Sequence, residues 1–514
     1  MKTIARGVPH AVVCAASMGV MIVELVASRL VSKYLGSSLY TWTSVIGIVL
    51  GGISLGNWIG GKLADRFAPR RIVPLLLLSA SVLTCLIIVL DMALGRITGA
   101  LGTEGMTAAA LARSILLIAV LFLLPSCALG TISPVMAKYA LEETAGVGRT
   151  VGGIYAAGSL GSIGGTFLAG YLLIPALGLT LNILIVGIGL ALLSLLMGGR
   201  RIVSGAWAAA LAVLALTGAP DSLARSLGED ASGSRTVYEK DSPYSWIRVA
   251  DRPAQFGTER TLRLDALIHN MRDPARPDVL LYEYERIFES LTRAKTAGRT
   301  SFSTLTLGGG GFTLPAYLER NFPDARHTVV EIDPDVVETA HAYFGVPRDT
   351  RISISVADAR SFVSAVRGRR TYDIVYCDVF NAFSVPPHLT TREFTAMVRD
   401  ILAPDGMYLV NCIDILDSGR FLDAFIATVT SVFPRVSIYA PPALSASART
   451  TFVVAAGGIP GAEALRAADG SVAGERVPAE MLAGLHARRG GVVLTDDRSP
   501  VETLMAPVFL RSVK

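Results

Sequence analysis

The first two hundred residues hold six apolar runs, roughly His10–Leu30, Ser38–Gly60, Val73–Leu94, Leu111–Ala137, Val151–Leu173 and Asn182–Met197. Most reach the about 17–25 residues that let a helix cross a bilayer. In hydrocarbon no water satisfies backbone amides, so such runs have little choice but helix. A seventh run, Ile202–Gly218, follows. Hydrophobic residues make up 51% of the 514-residue chain and charged residues only 17%, the balance of a membrane protein. A lipid bilayer is therefore an expected partner. The fold expected for residues 1–219 is an all-α polytopic membrane domain of six or seven helices.

Small residues crowd some of these runs: Gly47, Gly51, Gly52, Gly56 and Gly60 in the second, Gly158, Gly161, Gly164 and Gly165 in the fifth. Close helix–helix approach explains them. Lys2 and Arg6 precede an apolar run too long for a signal peptide, so that run is read as a first helix. Basic residues set orientation. The loop from Gly61 to Arg71, then Lys138 with Arg149, then Arg200 with Arg201, mark the cytoplasmic side. Six crossings return the chain to the cytoplasm. A seventh would place the following domain outside, so Ile202–Gly218 is expected to lie at the interface or re-enter. Glu24 and Arg29 are ionisable residues in or near the first run, functional candidates by default. Five positions apart, about 500° of helical rotation, they do not share a face.

The net charge is +5 and the basic residues are scattered, which argues against a nucleic-acid partner. The five cysteines, Cys14, Cys85, Cys127, Cys377 and Cys412, form no C-x-x-C pair and read as structural thiols, with no metal site expected. Residues 220–242 are polar and rich in Gly, Ser, Asp and Arg, an expected linker.

From 243 to 514 hydrophobic strands alternate with amphipathic helices. Leu305–Leu307, Thr328–Ile332, Ile352–Val356, Ile374–Cys377, Met407–Val410 and Val436–Tyr439 read as strands, with helices such as Leu314–Asn321 and Pro334–Phe344 between them. The alternation predicts a mainly parallel sheet with helices on both faces. Ser245–Val249 and Thr261–Asp265 suggest a small β piece in front. The strand Leu305–Leu307 runs into Gly308, Gly309, Gly310 and Gly311, and Glu331 follows about 20 residues later at the end of the next strand. That spacing lets an acidic side chain grip ribose hydroxyls while glycine backbone approaches the ligand. Asp358 follows the third strand, where a carboxylate can accept from an adenine amino group or cap the helix beginning at Ala359. Asp378 ends the fourth strand over the same rim, where a carboxylate can take a proton from an amine or steady a cationic reactant. Asn381, Pro386, Pro387 and His388 follow as a gate or lid loop.

These residues carry a resemblance to the polyamine aminopropyltransferases, the spermidine synthases. Leu264-Asp-Ala-Leu-Ile-His269 resembles the family's L-D-G-x-x-Q, and Tyr282-Glu-Tyr-Glu285 its Y-H-E. Gly308–Gly311 resembles G-G-G-D, Val330–Asp333 the ribose-binding strand end, Val356–Ala359 the adenine site and Tyr372–Asp378 the catalytic strand. The whole chain is similar to membrane-fused spermidine synthase-like proteins of bacteria, whose helices resemble part of a major-facilitator transporter. The Gly61–Arg66 loop and Leu494–Glu502 fit that group.

The resemblance implies a Rossmann-like fold of the S-adenosylmethionine-dependent methyltransferase type. It implies a multi-pass protein of the bacterial cell membrane with a cytoplasmic catalytic domain. Gly308, Gly309, Gly310, Glu331, Asp358 and Ala359 would bind decarboxylated S-adenosylmethionine or S-adenosylmethionine. Asp378 would be the catalytic base, and His269, Tyr284, Glu285 and Asn381 would line the substrate site. The family's amine-binding aspartates are replaced by Gly311 and Asn381, its Y-H-E histidine by Tyr284 and a glutamine by Ser245. Putrescine is thus not the expected acceptor; a small-molecule amine or membrane-associated substrate is. Self-association into a homo-oligomer stays open. Two further readings stay open: methyl transfer or lyase chemistry on S-adenosylmethionine, and a transporter or sensor whose C-terminal domain binds nucleoside without catalysis.

Overall fold

The computed structural model describes residues 2–35, 39–100, 108–144, 146–217, 234–254, 257–299, 301–379, 385–442 and 444–510. The chain divides into two compact units. The first is the helical region together with residues 240–246; the second holds residues 234–239 and those from 247 onward.

The helical unit runs α1 Lys2–Leu35, α2 Leu39–Arg66, α3 Pro69–Ala100, α4 Ala108–Gly130, α5 Ile132–Glu143, α6 Val147–Leu168, a π-helical turn Ala169–Leu173, α7 Ile174–Leu196 and α8 Arg201–Thr217. Among the described residues five helical stretches are long and apolar enough to cross a membrane: Gly7–Lys33, Thr41–Arg66, Pro69–Ala93, Ile115–Glu143 and Val147–Leu196. The last contains both the fifth and the sixth expected runs. Fifty residues of straight helix would be about 75 Å, more than twice the hydrocarbon thickness. It is broken at Gly178, whose φ of 70° is not helical. The break frees carbonyl groups, and the buried Asn182 amide donates to two of them, Leu173 O and Gly178 O. Helix α8, with 17 residues, is about 26 Å long, shorter than a bilayer core of about 30 Å.

The glycine stripes lie on seams. A Cβ on Gly56 would fall 2.1 Å from Cys127 O, and one on Gly60 2.6 Å from Thr131 O, so α2 touches the α4–α5 junction backbone to backbone. Gly161 and Gly165 do the same for α6 against α1, at 2.0 Å from Cys14 O and 2.6 Å from Met18 O. Arg29 and Glu24 go separate ways, as their angular offset requires. Arg29 donates to the carbonyls of Ser242 and Tyr244, while Glu24 is half-buried without a hydrogen-bond partner among the described residues.

An antiparallel four-stranded sheet, most of it in the second unit, follows in sequential order: β1 Arg235–Asp241, β2 Trp246–Ala254, β3 Gly257–Leu264 and β4 Leu267–Arg272. Strand β1 falls inside the expected linker. Its alternating exposure shows why: one face is covered, with Tyr238 stacked on Tyr343 at 4.8 Å between centroids. The elements that follow are α9 Glu283–Lys295, β5 Ser303–Leu307, α10 Thr313–Asn321, β6 Arg326–Glu331, α11 Pro334–Tyr343, β7 Ser353–Val356, α12 Ala359–Val366 and β8 Tyr372–Cys377. Then come α13 Arg392–Asp400, β9 Leu402–Ile415, α14 Arg420–Thr430, β10 Val436–Ala440, β11 Arg449–Gly457, β12 Ala464–Arg466, β13 Val472–Arg476, α15 Ala479–Arg489 and α16 Val501–Leu510.

Nine strands form one mixed sheet in the order β12-β13-β10-β11-β9-β8-β5-β6-β7. Strands β7, β6, β5, β8 and β9 are parallel neighbours; β11 is antiparallel to both β9 and β10. The two-residue alternation of a strand divides β8 between two cores. Ile374 and Tyr376 pack with Ile287, Phe288 and Leu318 from α9 and α10; Val375 and Cys377 pack with Val363, Phe394 and Phe425 from α12, α13 and α14. Strand order reverses between β5 and β8, and ligands in open α/β sheets bind outside the carboxyl ends at such a reversal.

Candidate active site

Three strand ends meet at that reversal. Gly308 N donates to Val330 O at 2.8 Å and Asp378 N to Leu307 O at 2.9 Å, tying β5 to β6 and β8. Gly308 has φ 88°, and a Cβ there would lie 2.0 Å from Asp378 O, so both backbone conformation and close approach demand glycine. Glu331 closes β6 and is buried. One carboxylate oxygen accepts from Gly309 N at 2.7 Å and Gly310 N at 3.3 Å; the other accepts from Asp333 N at 3.0 Å. Burial raises its pKa against the lowering pull of these amides. Each oxygen retains acceptor capacity for a hydroxyl.

Asp358 caps α12, accepting from Ser361 N at 2.8 Å, and its other oxygen lies 3.2 Å from His388 Nε2. Burial pushes its carboxyl up, but the Ser361 amide and His388 outweigh that and hold it below the usual range. Ala359 is the buried first residue of α12. His388 sits in a 3-10 turn, Pro387–Leu389; Asn381 lies outside the described residues.

Asp378 is half-buried and doubly anchored. Tyr284 Oη, from the first turn of α9, donates to it at 2.7 Å, and Asn411 Nδ2, from β9, donates at 2.8 Å. Burial raises its pKa; the two donors oppose the rise. Glu285 is buried beside it, with Oε2 lacking a hydrogen-bond partner among the described residues. Its pKa is driven far up, by burial first and by the Asp378 charge second. Between two neighbouring carboxylates, burial and the Asp378 charge favour the protonated form on Glu285. Asn270 Nδ2 lies 3.4 Å from Glu285 Oε1, and its Oδ1 accepts from the Thr313 hydroxyl. His269 is half-buried, with Nε2 shut off from solvent and unpartnered among the described residues.

The structure thus gathers Gly308, Gly309, Gly310, Glu331 and Asp378 around the strand reversal, with Asp358 capping the helix after the neighbouring β7. Tyr284 and Glu285 reach in beside Asp378. Sequence reading missed two residues here. Asn411 is a polar side chain inside the apolar run Met407–Ile413, a signal that could have marked it. Asn270 explains Gly311: a Cβ on Gly311 would lie 2.6 Å from Asn270 Oδ1, so this asparagine fills the space an aspartate there would need.

Residues 305–455 match the model of the spermine/spermidine synthase domain. Two kinds of relative illustrate the similarity. Over 131 residues the chain is 31% identical to the polyamine aminopropyltransferase of Vibrio vulnificus, covering 25% of this chain and 42% of that protein. Over 145 residues it is 30% identical to the eEF1A lysine and N-terminal methyltransferase of Mus musculus, covering 26% and 20%. The chain thus spans between a fifth and about two fifths of the length of these relatives. A probable spermidine synthase from Corynebacterium glutamicum superposes with a TM-score of 0.43 at 24% identity, covering 52% of this chain and 97% of that one.

Proposed function

We propose that this chain is a membrane-anchored transferase of the aminopropyltransferase type, acting on decarboxylated S-adenosylmethionine or a related sulfonium nucleoside. The observation that carries the reading is Asp378, a half-buried carboxylate held by Tyr284 and Asn411 at the strand reversal, beside the glycine turn gripped by Glu331. Glu331 would take ribose hydroxyls and Asp358 the adenine amino group. A neutral amine attacks the methylene next to sulfur, a C–N bond forms, and the C–S bond pair leaves with the thioether as methylthioadenosine. The amine proton goes to Asp378. The sulfonium is already a good leaving group, so positioning and proton removal supply the catalysis. The five long apolar stretches support anchoring in a cell membrane, with this domain on the cytoplasmic side where nucleoside substrates are made.

Methyl transfer from S-adenosylmethionine is the second reading, favoured by the methyltransferase relatives and by the filled Gly311 position. One assay separates them. Purified protein is given each sulfonium nucleoside with and without amines. Methylthioadenosine is the expected product; S-adenosylhomocysteine in its place establishes methyl transfer. Neither product, with nucleoside bound, leaves a binding domain without catalysis.

A further inference from the structure

Strand β11 begins at Arg449, which pairs with Ile415 at the carboxyl end of β9, on the rim that carries Asp378. Arg449 is half-buried and has neither a carboxylate nor a hydrogen-bond partner among the described residues. Guanidinium groups removed from water are normally paired. Its neighbours are site residues. The Arg449 charge acts on Tyr282 and on His269, whose imidazole burial and that charge push down to about 4. Tyr282 Oη donates to Ile268 O at 2.8 Å, and the Tyr282 ring stands 5.4 Å from that of Tyr284, the donor to Asp378. A row of side chains therefore leads from the base to an unpaired cation.

Among the described residues, few acidic groups at this end are free to receive an ammonium. Asn270 occupies the space beside Gly311, and Glu285 is buried where burial and the Asp378 charge favour its neutral form. An ammonium here would face Arg449, and Glu259, the other carboxylate that acts on Tyr282, is already paired with Arg252 at 2.6 Å. A carboxylate would meet a planar donor fork suited to it. We propose that Arg449, with His269 beside it, forms a subsite for a carboxylate on the ligand that reacts at Asp378. This rests on the nucleoside-transferase reading above and deepens it. The carboxylate belongs either to the amino-acid tail of S-adenosylmethionine or to the far end of the acceptor.

The test is calorimetric titration of the full chain in detergent, wild type against Arg449→Gln and Arg449→Lys. Methylthioadenosine has no carboxylate and should bind all three alike, which also shows the variants fold. If the tail is the source, S-adenosylmethionine should bind wild type more tightly than its decarboxylated form. Arg449→Gln should then weaken it by roughly 10- to 100-fold, with partial recovery in Arg449→Lys. If the acceptor is the source, Arg449→Gln should leave both sulfonium nucleosides unchanged. It should instead weaken 4-aminobutanoate, but not 1,4-diaminobutane, on the methylthioadenosine-saturated protein. Indifference of every ligand to Arg449→Gln overturns the subsite while the nucleoside site stands. Failure of methylthioadenosine to bind wild type overturns both.

Discussion

Glycine serves the two units of this chain in different ways. In the helical unit Gly56, Gly60, Gly161 and Gly165 keep ordinary helical backbone, and what matters is the missing side chain, because a neighbouring main chain runs where Cβ would be. In the sheet unit Gly308 is needed twice over: its φ of 88° excludes most residues, and its missing Cβ lets β5 touch the carbonyl of Asp378. Small-residue stripes thus report packing, whereas one glycine at a strand end reports a site where backbone must come close to chemistry.

That contrast can be broken by substitution. The largest effect belongs to Asp378→Asn, expected to lower product formation by about 100- to 10,000-fold with nucleoside binding retained, since it removes the base and keeps the shape. Next comes the glycine pair. Gly308→Ala should cost about 1–3 kcal/mol and abolish methylthioadenosine binding, because the strained turn and Asp378 must shift. Gly56→Ala creates a clash of the same size but should lower the melting temperature of the helical unit and leave nucleoside binding intact. Equal loss of binding in both would erase the distinction drawn here.

How much was legible in the sequence follows the same line. Apolar periodicity and turn residues placed β5 to β10, and the sequence spacing put Glu331, Asp358 and Asp378 on one rim. The antiparallel end escaped. Strand β11 inserts between β9 and β10, a pairing that no local pattern announces. Asn270 and Asn411 act through contacts with residues distant in the chain, Glu285 and Asp378, so their roles required the fold. Gly178 falls between the fifth and sixth apolar runs, Val151–Leu173 and Asn182–Met197, so the sequence separated the two where the backbone breaks, but not the glycine that makes the break.

Two smaller effects concern protons. Tyr284→Phe removes a donor that stabilises the Asp378 carboxylate, so its pKa should rise further and the acid limb of the rate profile should move to higher pH. Glu285→Gln should change activity at neutral pH by less than about threefold, because burial and the Asp378 charge favour the neutral form of the carboxyl it replaces. Its mark should appear in stability. A carboxyl whose folded pKa is raised contributes stability below its unfolded pKa and loses it as pH climbs through the folded value. Melting temperature should therefore fall less steeply toward alkaline pH in Glu285→Gln than in wild type.

Binding of methylthioadenosine to the wild-type chain and to Glu331→Gln tests the nucleoside site most directly. Saturable binding by wild type, weakened about 10-fold or more when the ribose-facing carboxylate becomes an amide, is the expected result. Absence of binding, or equal affinity in the two proteins, would contradict it.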